Sequence, residues 1–192
     1  MRYFVNVEFL ADLEKQGEWE KARGLLYKKW SDEKMNSGLL IRLLSECWYI
    51  LSEWDNSIAG NKELSFQTVK GTLIECTEFG MKNCTNNSQF LCVAGYMISL
   101  FPHLFYNGNL AHNSDSLYTE WEQRGIKMLR KSHETNPSDK IANVLNLGTT
   151  MNLANYDEAK IAMQSELQYI FPDETTIELY FKDIFSIGCC LY

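Results

Sequence analysis

An all-α fold, an α-solenoid of about nine helices paired as antiparallel hairpins, is what this sequence predicts. Three observations lead there. Apolar residues recur at three- and four-residue spacing in one segment after another, while the alternation expected of strands is weak throughout. The only three prolines, Pro102, Pro137 and Pro172, stand 35 residues apart. Each follows a helix-like run, and because proline lacks an N–H and clashes with the preceding turn, it marks the place where one hairpin hands over to the next. Finally, a chain of 192 residues with 45% hydrophobic and 13% aromatic content has enough apolar surface for a core, which argues against disorder and makes residues 1–192 one domain.

Taken in order, Phe4, Val7, Leu10 and Ala11 form the face of a first helix, the chain turns at Gln16-Gly17, and Trp19, Ala22, Leu25, Leu26 and Trp30 continue on the second. Ser31-Asp32 breaks it. Gly38 to Trp54 is a long apolar helix with Leu40, Leu43, Leu44, Cys47, Leu51 and Trp54 on a wide stripe. Asp55 to Leu64, with Asn56, Gly60 and Asn61, reads as a loop where the repeat phase slips. Helices resume at Ser65 to Cys84 and Ser88 to Phe105, separated by Thr85-Asn86-Asn87, and Tyr106 to Asp115 is a second irregular loop. Ser116 to Thr135 is helical, Asn136-Pro137-Ser138-Asp139 turns the corner, and Asp139 or Ser138 caps the next helix. Ile141 to Leu153 and Tyr156 to Phe171 form a hairpin around Ala154-Asn155, and Thr175 to Ile187 is a capping helix with Ile177, Phe181, Ile184 and Phe185 inward.

From Trp121 to Pro172 the spacing resembles the tetratricopeptide repeat, whose hairpins of 34 residues place small side chains where two helices cross. Gly125 and Ala159 are 34 residues apart in the small-residue place, Tyr156 precedes Ala159 by three, and Ala22 in the first hairpin fits the same place. A larger side chain there would push the helices apart. The middle of the chain departs from the pattern, since Phe90 occupies the third small-residue place and the second falls in the loop at Asn56. The resemblance therefore implies a divergent, tetratricopeptide-like solenoid, which works by presenting a surface to a partner.

Charge and chemistry narrow the function. Net charge is −7, unevenly placed: from Met1 to Asn36 seven Lys/Arg balance seven Asp/Glu, whereas Lys140 to Tyr192 holds three Lys against seven acids. Such a surface repels phosphate backbones, which disfavours nucleic acid, and attracts basic proteins. Met1 to Leu10 shows no secretory pattern, and the longest apolar run, Phe90 to Phe105, is too short to span a bilayer comfortably. A cytoplasmic location with reduced, mostly buried cysteines is the expectation, and the sequons at Asn83 and Asn86 read as a polar turn. No Cys-x-x-Cys pair exists, and His103, His112 and His133 form no metal-ligand pattern, so neither metal nor cofactor is expected. No Gly-x-Ser-x-Gly elbow or phosphate-binding glycine loop occurs, and the carboxylates fall at helix-surface spacing, so the chain is not expected to be an enzyme. Adjacent Cys189 and Cys190 read as small hydrophobes in the terminal cap.

What remains is a surface. Glu46, Tyr49 and Glu53 lie off the apolar stripe of their helix and are expected to be exposed, and Tyr118, Glu120 and Glu122 repeat the same mixture of aromatic and acid. Aromatic anchors supply contact area and acids supply steering, so these six residues are the expected partner-binding site. In type and composition the chain resembles the immunity proteins of bacterial toxin systems, including those of contact-dependent growth inhibition: small, single-domain, acidic, helical and cysteine-containing. That resemblance implies an antitoxin that binds and neutralises a basic toxin such as a nuclease. The alternative is a tetratricopeptide-type adaptor or secretion chaperone gripping an extended peptide, for which Lys15, Lys82 and Asn83 are the few candidate groove residues.

Overall fold

The computed structural model describes residues 2–58, 63–107, 114–149, 153–173 and 175–187. Among them there is no strand, and ten α-helices follow one another: α1 (Leu10–Lys15), α2 (Trp19–Asp32), α3 (Ser37–Ser52), α4 (Phe66–Asn83), α5 (Ser88–Leu100), α6 (Ser114–Thr135), α7 (Lys140–Thr149), α8 (Leu153–Gln164), α9 (Leu167–Ile170) and α10 (Thr176–Ile187). A π-helical turn, Trp54–Ile58, follows α3, and a 3-10 turn, Pro102–Leu104, follows α5. No helix among the described residues is long and apolar enough to cross a membrane.

The punctuation is local chemistry. Pro102, Pro137 and Pro172 each lie two residues beyond the end of a helix, α5, α6 and α9 respectively, where a missing N–H costs no helical hydrogen bond. Helix starts carry side-chain caps: the Asn36 carbonyl oxygen accepts from the Leu39 N–H at 3.2 Å, that of Asn87 from Phe90 at 2.9 Å, and Asp139 from Ile141 and Ala142 at 3.0 and 3.2 Å. The turn at Thr85-Asn86-Asn87 is therefore the N-terminal cap of α5. Gly17, at φ 70°, supplies the left-handed residue that turns α1 into α2.

Packing along the chain is largely between neighbours: α3 lies against α2 and α4, α5 against α6, α6 against α7, and α7 against α8. The α5–α6 crossing is a close one, because Gly95 and Gly125 face one another; a Cβ on Gly125 would stand 2.7 Å from the Gly95 carbonyl oxygen. The close approach expected at Gly125 is present there, and Ala22 is fully buried. The departure at Phe90 is accommodated from the other side: Gly80 of α4 lies under its ring, and a Cβ at Gly80 would be 2.1 Å from it. A large side chain fits there because the residue beneath it has none.

Three expectations are corrected. Residues 2–8 are not helical; they form an irregular strap, and Phe9, at φ 66°, turns it into α1 at Leu10. Tyr3, Phe4, Val5 and Val7 are aromatic or β-branched and form helices poorly, and the strap gains more by burying Tyr3, Phe4 and Val7. The hairpin corner expected at Ala154-Asn155 falls inside α8, and the helix expected to run from Tyr156 to Phe171 is broken between α8 and α9. Lastly, in a solenoid each hairpin touches only its neighbours, whereas here the two ends of the chain meet. The Tyr3 N–H donates to the Ile170 carbonyl at 3.3 Å, and the Phe4 ring packs, tilted, 5.6 Å from Phe171 and 5.4 Å from Phe181. Phe181 of α10 also touches Trp48 of α3 and Tyr96 of α5. Water exclusion from this aromatic cluster draws the last helix onto the first third of the chain. Parts of the two irregular loops, 59–62 and 108–113, and the Cys189-Cys190 pair lie outside the described residues.

Candidate functional site

The six residues expected to face a partner divide sharply. Glu46 is 0% exposed, which overturns its expected place on the surface. Its helix, α3, is covered on all sides: Arg42, Ser45 and Glu46 are buried along with Leu40, Leu43, Leu44, Cys47 and Trp48. Tyr49 is half-buried, its ring between Trp19 at 5.2 Å and Tyr180 at 5.1 Å, and the half-buried Glu53 accepts a hydrogen bond from Asn56 at 3.2 Å. On α6, Tyr118 is 37% exposed, Glu122 is half-buried, and the exposed Glu120 is neutralised by Arg124 at 3.1 Å. Arg124 also lies 4.4 Å from the Trp121 ring. The structure thus does not bring these six together as one charged surface.

An exposed apolar and acidic face exists elsewhere. On α8 the side chains of Asp157, Glu158 and Ile161 point outward; Ile161, three residues after Glu158 and four after Asp157, shares their helix face. Ile161 is 69% exposed, as is Tyr169 of α9 at 68%, while Met163, Leu167 and Ile170 between and beside them turn inward. Among the described residues neither Asp157 nor Glu158 takes part in an ion pair. Sequence reading missed this face because it treated Tyr156 to Phe171 as one helix. The signal available was the charge balance of Lys140 to Tyr192.

Among the described residues the interior holds an ionic cluster on α1 and α3. The Arg42 guanidinium is clamped between Glu14 of α1, in direct ion pair, and Glu46, one turn on in α3, at 2.8 Å. The other Glu14 oxygen accepts the Ile177 N–H of α10 at 3.3 Å. Burial, with Glu14 nearby, pushes the Glu46 carboxyl up to about 7 against the opposing pull of Arg42. Arg42 also lines a cavity of about 120 Å³ with Phe4, Val7, Thr175 and Glu178. A second polar cluster ties the strap down: the Tyr3 hydroxyl donates to Asp139 at 2.6 Å, and burial pushes the Tyr3 phenol well up.

The remaining chemistry is quiet. Cys47, Cys76, Cys84 and Cys92 are free thiols, and burial raises the proton affinity of each, which works against thiolate reactivity. No group of three or more His, Cys, Asp or Glu among the described residues is arranged to hold a metal ion. A groove of about 240 Å³ lies across α4, α5 and α6, with Met81, Phe90, Leu91 and Met128 as its apolar lining and Arg124 and Lys131 beside them. No known protein family, no curated protein and no solved structure matches this chain.

Proposed function

We propose that the chain is a non-enzymatic protein-binding module, an immunity-type inhibitor that docks on one basic protein partner in the cytoplasm and neutralises it, a nuclease toxin being the kind of partner its acidity suits. The observation that carries this reading is the pair of large apolar side chains left exposed on α8 and α9, Ile161 and Tyr169, with Asp157 and Glu158, which take part in no ion pair among the described residues, on the same helix face as Ile161. Large exposed apolar side chains cost solubility and suit contact anchors, while acids beside them steer a basic surface into register. A partner that normally grips a phosphate backbone offers the complementary positive patch, and covering it would compete with nucleic acid. Immobilised protein should capture one dominant basic protein that elutes as salt rises. Glu158→Lys should slow association, and Tyr169→Ala should speed dissociation. Capture unchanged by both substitutions would remove this face from the site.

The groove across α4, α5 and α6 supports a second reading, an adaptor for an extended peptide, because the exposed Lys131 beside an apolar lining suits a segment carrying acids. Elution of several acidic clients, lost in Lys131→Glu and kept in Tyr169→Ala, is the outcome that would favour it.

A further inference from the structure

The Glu14–Arg42–Glu46 cluster holds three charged groups with side-chain exposure of 0 to 1%, and their charges do not sum to zero: one guanidinium faces two carboxylates. An uncompensated charge on a buried side chain is costly enough that the group takes up a proton instead. Glu46 is the carboxyl that does so. Its Oε2 accepts from Arg42 while its Oε1 is buried with no donor to it, and the two Glu14 oxygens are each already supplied, one by Arg42 and one by the Ile177 N–H, so the proton on Glu46 is held within hydrogen-bond reach of Glu14. The charged groups that act on Glu46 are Arg42 of α3 and Glu14 of α1, with Cys47 and Tyr49 beside it on α3; Tyr180 of α10 packs on Tyr49, and Asp173 and Glu178 line with Arg42 the cavity beside the cluster.

We propose that this cluster is a one-proton latch that fastens α1, α10 and the N-terminal strap onto α3, shut when Glu46 carries its proton and loosened when that proton leaves to solvent. Three elements meet at it. Glu14 brings α1, its contact to Ile177 satisfies a backbone N–H in the first turn of α10, and the Arg42 guanidinium lies 5.8 Å from the Phe4 ring of the strap. Ionisation adds a second buried negative charge beside Glu14, and the adjoining cavity of about 120 Å³ gives water a route to solvate it as the junction opens. The device acts independently of the partner-binding face.

Because burial raises the folded-state proton affinity of Glu46 to about 7, above its ordinary value of 4.5, the folded chain keeps the proton where the unfolded chain has lost it. The stabilisation is complete below pH 4.5 and drains away as pH rises to about 7. In the full chain, hydrogen-exchange protection of the Ile177 amide, corrected for intrinsic exchange, should fall by roughly a hundredfold between pH 4.5 and 7.5, and Glu46→Gln, which mimics the protonated acid, should abolish that fall. Protection that is flat in the wild type, or that falls equally in Glu46→Gln, would overturn the latch. Should the variant not fold, the Glu46 carboxyl-carbon resonance of the wild-type chain decides: a titration midpoint near 7 supports the proposal, and one below 5 overturns it.

Discussion

Gly125→Ala tests the packing argument at its tightest point. The added Cβ would stand 2.6 Å from the Ser99 backbone nitrogen and 2.7 Å from the Gly95 carbonyl oxygen, both main-chain atoms of α5 that cannot swing aside as a side chain would. Ordinary contact needs roughly 3.5 Å or more, so α5 and α6 must separate by close to an ångström along a crossing that both helices use for much of their length. Overpacking of this kind costs about 1–3 kcal/mol, with the upper end expected where backbone must move. Against it stands the helix-propensity gain of alanine over glycine, about 1 kcal/mol. The net is a destabilisation of about 1–2 kcal/mol, equivalent to a melting temperature lower by roughly 2–8 °C in a chain of this size. Gly24→Ala in α2 and Gly71→Ala in α4 make the same chemical change where no atom lies within 4 Å, so only the propensity term acts, and each should raise stability by about 0.5–1 kcal/mol. Urea unfolding followed by circular dichroism gives all three. If Gly125→Ala is as stable as Gly71→Ala, the close crossing of α5 and α6 is wrong.

Gly80→Ala should likewise destabilise, because its Cβ would overlap the Phe90 ring. Here the obstacle is a side chain, so adding Phe90→Leu should recover part of the loss, and a double-mutant cycle showing strict additivity would deny the contact. Tyr3→Phe removes the hydroxyl that donates to buried Asp139 and should cost about 1.5–3 kcal/mol, as expected for a hydrogen bond to a charged group, with the loss read in equilibrium unfolding. An unchanged midpoint would mean that the strap is not held by this bond.

How much of the molecule can be read from its residues differs by scale. Helix periodicity, the stops at Pro102, Pro137 and Pro172, the Asp139 cap and the need for a small residue at Gly125 follow from interactions within a few residues or from the bulk of one side chain, and they were legible. The candidate surface was legible only as chemistry, acid beside aromatic, and its position was not. Glu46, Tyr49 and Glu53 follow the spacing of an exposed helix edge, yet α3 is covered on every side, and Glu46 meets Arg42 and Glu14 instead of water. Phe90 breaks the repeat pattern until Gly80 is seen beneath it.

Sequence alone therefore determined an all-α fold class and those helix ends that a proline or a capping side chain marks, at Pro102, Pro137, Pro172 and Asp139, because hydrogen bonding and backbone sterics act over one or two turns. The tertiary structure decided which faces meet water, that the N-terminal strap lies under α10, and that three charges share one buried site. Those outcomes depend on contacts between residues more than a hundred positions apart, such as Tyr3 with Asp139 and Glu14 with Ile177, whose pairing no local pattern encodes.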